Sequence, residues 1–97
     1  TDAFFFLGYL PRKPGKRKNQ LENLSKMDTT IILFEAPHRL IKTLGEVKEI
    51  IGDIDIVICR ELTKVHEEVR REKISQSIEH FQKTNPKGEF VILLHLD

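Results

Sequence analysis

The sequence predicts a single α/β domain, built on a mixed sheet of about five strands with about three helices packed against it. Short apolar runs rich in β-branched and aromatic residues alternate with segments whose apolar residues recur at helical spacing. A length of 97 residues is enough for one domain with a modest core and too short for two. With 39% hydrophobic and 32% charged residues, the composition is that of a globular protein and excludes a disordered or fibrous chain.

The first third of the chain predicts two strands with a helix between them. The aromatic run Phe4–Tyr9 is typical of a buried strand. The basic stretch that follows contains two prolines and a glycine, which predicts a loop. A helix is expected to begin near Lys16 and to carry Leu21 and Leu24 on one face. The apolar, β-branched residues 30–34 predict the second strand.

A parallel β-α-β unit is predicted over residues 30–59. Pro37 suits the first turn of a helix, where its missing N–H costs nothing. Apolar residues then recur at helical spacing as far as Gly52, which is expected to end the helix. The apolar run Ile54–Cys59 predicts a third strand. Because continuous apolar strands joined by a helix favour parallel pairing, we expect the second and third strands to lie side by side.

The last third of the chain predicts an edge strand, a helix and a final strand. Residues 65–74 are mostly charged, which favours a turn followed by an exposed edge strand. Ser75 is a suitable N-cap for a helix that carries Phe81 on its apolar face. A turn at residues 85–88 and the apolar run Phe90–Leu94 complete the sheet.

Composition and motifs exclude several classes of function. The net charge of +1 gives no overall attraction to nucleic acid or membrane, so any such attraction must be local. The single cysteine, Cys59, lies in an apolar run, as is typical of a buried thiol in a reducing compartment. No apolar run approaches the roughly 20 residues that span a bilayer and no signal peptide is visible, so we expect a cytoplasmic protein. The histidines lack metal-ligand spacing, so no metal is expected, and there is no nucleophile elbow or glycine-rich phosphate loop.

Charged residues follow the second and third predicted strands where each strand ends. Glu35, His38 and Arg39 belong to the segment EAPHR, and Arg60 and Glu61 to the segment RELTK. Because the carboxyl ends of parallel strands meet at one edge of a sheet, these side chains should converge where open α/β sheets bind ligands. They can equally form a network of ion pairs and hydrogen bonds that braces two loops. Spacing alone favours this bracing interpretation.

A second candidate feature is a cluster of bases near the start of the chain, formed by Arg12, Lys13, Lys16, Arg17 and Lys18. Beside the predicted aromatic strand, such a cluster can bind the phosphate backbone of RNA. It can equally be a solvated turn that keeps a small domain soluble. The residues alone leave both alternatives open.

Four blocks of the sequence resemble, in order and spacing, the ribosomal RNA small subunit methyltransferase I family of the tetrapyrrole methylase superfamily: TDAFFFLGYLPRKPGKR, FEAPHRLIKTL, RELTKVHEEVRR and GEFVILL. The resemblance spans nearly the whole chain and corresponds to the C-terminal domain of that family. It implies that residues 1–97 are one domain of a two-domain enzyme whose N-terminal domain is absent here. It also implies a mixed five-stranded sheet flanked by helices, in agreement with the fold class derived from the residues.

The resemblance implies transfer of a methyl group from S-adenosylmethionine to the ribose 2′-hydroxyl of a cytidine in small-subunit ribosomal RNA. Family members are usually homodimers and hold the donor in the cleft between their two domains. By this resemblance, that cleft is lined by Phe34, Ala36, Pro37, Cys59 and Arg60, largely through backbone groups. The five bases would lie near its mouth, where they meet RNA phosphates.

Methyl transfer also needs a group that removes a proton from a weakly acidic hydroxyl. By residue type, the candidates are Glu35, His38 and Glu61, although the base can equally lie in the absent domain. Two other functions stay open. The chain can be a non-catalytic module for RNA docking or dimerisation, or part of a relative that methylates a tetrapyrrole. The basic cluster argues against the tetrapyrrole, because a small macrocycle needs no extended surface for phosphates.

Overall fold

The structure, a computed structural model, describes residues 4–63 and 66–96, with side chains described outside residues 61–66. None of the described helices is long and apolar enough to cross a membrane. A short 3-10 turn, Pro37–Arg39, precedes the second helix. The elements of the described residues follow one another as β1 (Phe4–Tyr9), α1 (Pro14–Leu24), β2 (Thr30–Glu35), α2 (Leu40–Ile50), β3 (Asp55–Thr63), β4 (His66–Lys73), α3 (Ile74–Lys83) and β5 (Glu89–His95). The predicted mixed sheet of five strands with three helices is confirmed.

The strands lie in the order β1-β2-β5-β3-β4. β1 and β2 are parallel neighbours joined through α1, whereas β5 is antiparallel to both β2 and β3. β2 and β3 therefore run in the same direction, as the predicted β-α-β unit requires, but β5 lies between them. The expectation that they pair side by side was wrong, because a helical crossover can pass over one strand and the apolar β5 fills that central position. β4 forms the predicted charged edge strand.

The three helices cover one face of the sheet. Alternate residues of the central strands are buried on that face, where they meet the apolar stripes of the helices. These residues form a single hydrophobic core whose members include Ile31, Leu33, Ile58, Ile92, Leu21, Leu44 and Phe81.

The opposite face of the sheet is apolar and partly exposed. The register places Phe6 beside Ile32 and Ile32 beside Leu93, so these side chains share that face. Phe6 is 61% exposed and Tyr9 is 60% exposed. Both rings pack edge-on against Phe34, with centroid distances of 5.3 and 5.6 Å. This face is therefore an aromatic and aliphatic surface.

Two boundaries differ from the prediction in ways that matter for the site. α1 begins at Pro14, two residues before the predicted start near Lys16, so residues 14 and 15 belong to the helix and not to the loop. β3 continues beyond Cys59 as far as Thr63, so residues 60 and 61 lie within a strand. Because β3 pairs with both β4 and β5, backbone hydrogen bonding extends this strand through charged residues.

The start of α3 also differs from the prediction. Ser75 lies inside the first turn and is not the N-cap, because α3 begins at Ile74. The Ser75 N–H and hydroxyl donate to the Asp53 carboxylate at 2.8 and 2.6 Å. These two hydrogen bonds, with the hydroxyl the stronger influence, lower the pKa of Asp53 below its ordinary value of 3.8. Gly52 ends α2 as predicted, with φ at +128° and its N–H donating to the Val47 carbonyl at 3.2 Å.

Candidate functional site

The predicted polar segments meet at one edge of the sheet. Glu35 at the end of β2 lies opposite Phe90 of β5, and Phe90 lies opposite Arg60 of β3. Two hollows open at this edge, and Glu89 lines both of them. The structure therefore brings EAPHR and the start of RELTK to the same edge, with the beginning of β5 between them.

The first of these, which we call the β2 hollow, has a volume of about 420 Å³. It lies between the end of β1, the start of α1 and the turn after β2. Its walls combine apolar surface with charged groups of both signs, a mixture typical of sites for small polar ligands. The lining residues are Tyr9, Leu10, Arg12, Arg17, Glu35, Ala36, His38, Arg39 and Glu89.

Glu35 is buried in the wall of the β2 hollow, with 4% of its surface exposed. One carboxylate oxygen accepts the Ala36 N–H at 2.9 Å, and the other accepts the Thr43 hydroxyl at 2.5 Å. Both oxygens therefore hold the turn after β2 against α2. These contacts favour the bracing interpretation of Glu35 over a role as a base.

Arg17 is also buried, with 2% of its surface exposed. Its Nη2 donates to Glu46 at 2.6 Å and to the Thr43 hydroxyl at 2.9 Å, and its Nη1 donates to the Pro11 carbonyl at 3.1 Å. The guanidinium joins α1 to α2 and to the segment after β1. Of the five bases assigned to RNA, Arg17 is therefore the one held inside the protein.

The sequence carries a signal for this buried arginine. Arg17 precedes Leu21 and Leu24 by four and seven residues, which places all three on the inner face of a helix that begins at Pro14. Its partner Thr43 is 1% exposed and lies on the buried stripe of α2. Sequence reasoning missed Thr43 because a hydroxyl on an apolar stripe does not by itself indicate a partner.

The other four bases of the cluster are exposed, and they are Arg12, Lys13, Lys16 and Lys18. None of them forms an ion pair with the residues that the structure describes. Arg12 lines the β2 hollow and brings positive charge to it, and the three lysines follow Arg12 within six residues of the chain.

His38 is exposed in the turn after β2, whereas Ala36, Pro37 and Arg39 are partly buried there. The His38 ring lines the β2 hollow and forms no hydrogen bond or ion pair with the described part of the chain. The side chain of Glu61 lies outside the described residues. His38 is thus the candidate base whose described contacts leave its ring open to a ligand.

Proteins of known name match this chain over almost all of its length. It is 45% identical over 91 residues to ribosomal RNA small subunit methyltransferase I of Thermotoga maritima, and this match covers 94% of this chain and 40% of that protein. The protein of the same name from Bacillus subtilis is also 45% identical, covering 94% of this chain and 31% of its own length. Nearly the whole chain is therefore similar to one part of proteins named ribosomal RNA small subunit methyltransferase I. It spans less than half the length of these relatives, and no protein-family model matches it.

Solved structures confirm the fold of this chain. The cobalamin biosynthetic enzyme cobalt precorrin-4 methyltransferase, CbiF, matches 96% of this chain and 40% of its own with a TM-score of 0.68 at 19% identity. The methyltransferase CobJ matches 97% of this chain and 41% of its own with a TM-score of 0.65 at 14% identity. At these identities the likeness shows the fold alone, which is the predicted tetrapyrrole methylase-like fold.

The five residues predicted to face the donor do not share one surface. Ala36 and Pro37 lie in the turn beside the β2 hollow. The register places Phe34 and Cys59 on the uncovered face of the sheet, each beside Val91. Of Phe34, Ala36, Pro37 and Cys59, Ala36 is the one that lines the β2 hollow.

Arg60 turns its side chain toward the helix-covered face. It pairs with Glu68 at 3.0 Å and lies 5.8 Å from the ring centroids of both Phe81 and Phe90. His80 approaches the same Glu68 carboxylate at 3.9 Å. These contacts hold the Arg60 charge under α3 and away from the β2 hollow, although Arg60 lines the smaller hollow of about 260 Å³.

The described residues contain no group of three or more His, Cys, Asp or Glu side chains arranged to hold a metal ion. A further apolar hollow, of about 390 Å³, opens at the opposite edge of the sheet beside Phe4, Val57 and Leu93. None of the predicted site residues lines it. Of these hollows, the β2 hollow is lined by the largest number of predicted site residues, whereas Cys59 and Arg60 line the smaller one.

Proposed function

We propose that this chain is the C-terminal domain of a two-domain, S-adenosylmethionine-dependent methyltransferase. Its proposed substrate is the ribose 2′-hydroxyl of a cytidine in small-subunit ribosomal RNA, and it acts in the cytoplasm. The observation that carries the proposal is the 45% identity across 94% of the chain to a protein named ribosomal RNA small subunit methyltransferase I. Because the chain covers 40% of that protein, a second domain is expected to complete the site.

The β2 hollow supports a role as one wall of the donor site. S-adenosylmethionine supplies a methyl group from a sulfonium centre and also carries a flat adenine ring and a carboxylate. Tyr9 and Ala36 offer apolar contact for the ring, and the guanidinium groups of Arg12 and Arg39 suit a carboxylate. A hollow that is open to solvent provides half of a site, which the second domain would close to exclude water.

We propose His38 as the general base on this side of the cleft. Its ring is exposed in the β2 hollow, whereas both carboxylate oxygens of Glu35 are engaged. A neutral imidazole accepts a proton near neutral pH, and a positioned base contributes about 10²- to 10⁴-fold to rate. Glu61 stays a candidate by residue type.

The test uses the intact protein that carries this chain, with labelled donor and small ribosomal subunits as substrate. His38→Ala, Glu35→Gln and Glu61→Gln are assayed singly for turnover. His38→Ala should lower kcat about 10²-fold or more while donor affinity is retained. Turnover close to wild type in all three variants would place the base in the other domain and leave the bracing interpretation for this one.

RNA binding is proposed for the exposed bases of the cluster, Arg12, Lys13, Lys16 and Lys18. Arg12 lines the β2 hollow and the three lysines are exposed within six residues of it, which supports contact with phosphates next to the methylated nucleotide. Arg17 contributes indirectly by holding the helix that carries Lys16 and Lys18. A labelled-methyl assay with ribosomal subunits and with a tetrapyrrole separates this substrate from the tetrapyrrole alternative.

A homodimer is also proposed, and the uncovered apolar face of the sheet supports it. Four large apolar side chains are 52% to 64% exposed, namely those of Phe4, Phe6, Tyr9 and Val69. Exposed apolar patches of this kind mark interaction surfaces. This observation also favours the second candidate function, a module for docking or dimerisation that contributes no group to catalysis. Sedimentation of the intact protein measures its oligomeric state and tests the dimer. Calorimetry with S-adenosylmethionine measures donor binding and tests the non-catalytic module. The chain alone should bind the donor weakly, and micromolar binding would contradict the two-domain site.

A further inference from the structure

A continuous chain of hydrogen bonds runs behind the wall of the β2 hollow. It starts at the Pro11 carbonyl, which accepts from Arg17, and Arg17 in turn donates to the Thr43 hydroxyl at 2.9 Å. That hydroxyl donates to Glu35 at 2.5 Å, and Glu35 accepts the Ala36 N–H at 2.9 Å. The chain therefore connects the segment after β1 to the turn after β2, which form two walls of the hollow.

Thr43 is the residue at which the two halves of this chain meet. Its hydroxyl accepts one hydrogen bond from a cation and donates another to a carboxylate, which uses its donor and one of its acceptor sites. Arg17 and Glu35 are the neighbours that line the β2 hollow, whereas Thr43 is 1% exposed and does not line it. A ligand in the hollow would therefore sense Thr43 only through these two neighbours.

We propose that Thr43 is a positioning residue for the methyl donor. Through Glu35 it fixes the Ala36 N–H and the turn that carries His38, and through Arg17 it fixes the segment that carries Arg12. This inference rests on the proposed function, because it assigns the β2 hollow to the donor. It adds a residue that touches no ligand and that neither the sequence pattern nor the resemblance assigns.

The test is Thr43→Val in the intact protein, since valine keeps the shape and removes the hydroxyl. Loss of hydrogen bonds to two charged partners should raise the donor dissociation constant roughly five- to tenfold. Thr43→Ser should restore donor affinity to within about twofold of wild type, because serine keeps the hydroxyl. Hydrogen exchange of the Ala36 N–H should accelerate in Thr43→Val without any donor present.

A matched control is available in α3. Ser77 is fully buried, and its hydroxyl donates at 2.5 Å to Glu72, which also accepts from Arg70 at 2.6 Å. Ser77→Ala removes a hydrogen bond of the same kind away from the β2 hollow. It should lower the unfolding temperature as Thr43→Val does, and it should leave donor affinity and Ala36 exchange unchanged.

Three outcomes overturn the inference. Donor affinity in Thr43→Val within twofold of wild type would do so, as would an equal loss of affinity in Ser77→Ala. Unchanged exchange at Ala36 in Thr43→Val would also contradict it, whatever the donor does. Failure of the wild-type intact protein to bind S-adenosylmethionine would refute the proposed function itself, and with it the positioning role. If instead the wild-type protein binds the donor and the Thr43→Val variant binds it equally well, only the positioning role is refuted.

Discussion

Replacing Arg17 with methionine tests whether the arginine is a structural element of the core. Arg17 is 2% exposed, and its partner Glu46 retains 27% exposure. Breaking a buried ion pair costs about 3–5 kcal/mol, and a hydrogen bond to a charged group contributes about 1.5–3 kcal/mol. Because water can solvate the partly exposed Glu46 after the change, we expect a loss below that of a fully buried ion pair. The expected loss of unfolding free energy is about 2–3 kcal/mol.

The assay is thermal and urea unfolding of Arg17→Met beside Lys18→Met, which removes the same charge from an exposed neighbour. For a domain of this size, the expected loss corresponds to a Tm about 10–20 °C lower, whereas Lys18→Met should change stability by less than about 0.5 kcal/mol. A double-mutant cycle with Glu46→Gln should give a coupling energy of roughly 1–3 kcal/mol. Equal stability of the two methionine variants would refute the buried ion pair.

Three further predictions concern helix ends and surface charge. In urea unfolding, Gly52→Ala should destabilise the chain by about 1 kcal/mol because the residue has φ at +128°. Gly45→Ala, inside α2 and with open space around the new Cβ, should stabilise it by about 0.5–1 kcal/mol. The pKa of Asp53 is lowered in the folded state, so its contribution to stability is complete above the ordinary value of 3.8 and is lost as the pH falls through the lowered pKa. The unfolding free energies of wild type and Asp53→Asn should therefore differ near neutral pH and converge in strong acid. In RNA binding by the intact protein, Lys16→Gln should reduce the slope of log affinity against log salt by about 0.7, and Lys26→Gln, beyond the other end of α1, should leave it unchanged.

The order and type of the elements were predictable because they depend on local periodicity. Apolar runs such as Phe4–Tyr9 and Phe90–Leu94 mark strands wherever they lie in the sheet. The position of β5 between β2 and β3 was not predictable from the same pattern, since pairing joins residues far apart in the chain. The register that places Phe90 between Glu35 and Arg60 is a property of three strands together.

The cap of α3 shows the same limit at the scale of one side chain. Ser75 has the residue type of an N-cap, and the sequence around it contains no better candidate. The group that accepts its N–H is Asp53, which lies 22 residues earlier in the chain. Asp53 follows Gly52 at the end of α2, so this part of the cap depends on how α2 and α3 pack. A second part is local, because Gln76 of α3 accepts the Lys73 N–H at 2.9 Å.

The basic cluster separates into two roles by helical geometry. Successive residues of a helix point about 100° apart, so Lys16 and Lys18 face solvent when Arg17 faces the core. The Arg17 charge is balanced by Glu46, which removes it from the surface field that RNA would meet. A count of bases from the sequence therefore overstates the phosphate-binding charge of this segment by one. Because Arg17 also fixes the helix from which its neighbours project, its loss would change the geometry of the β2 hollow before it changed the attraction for RNA.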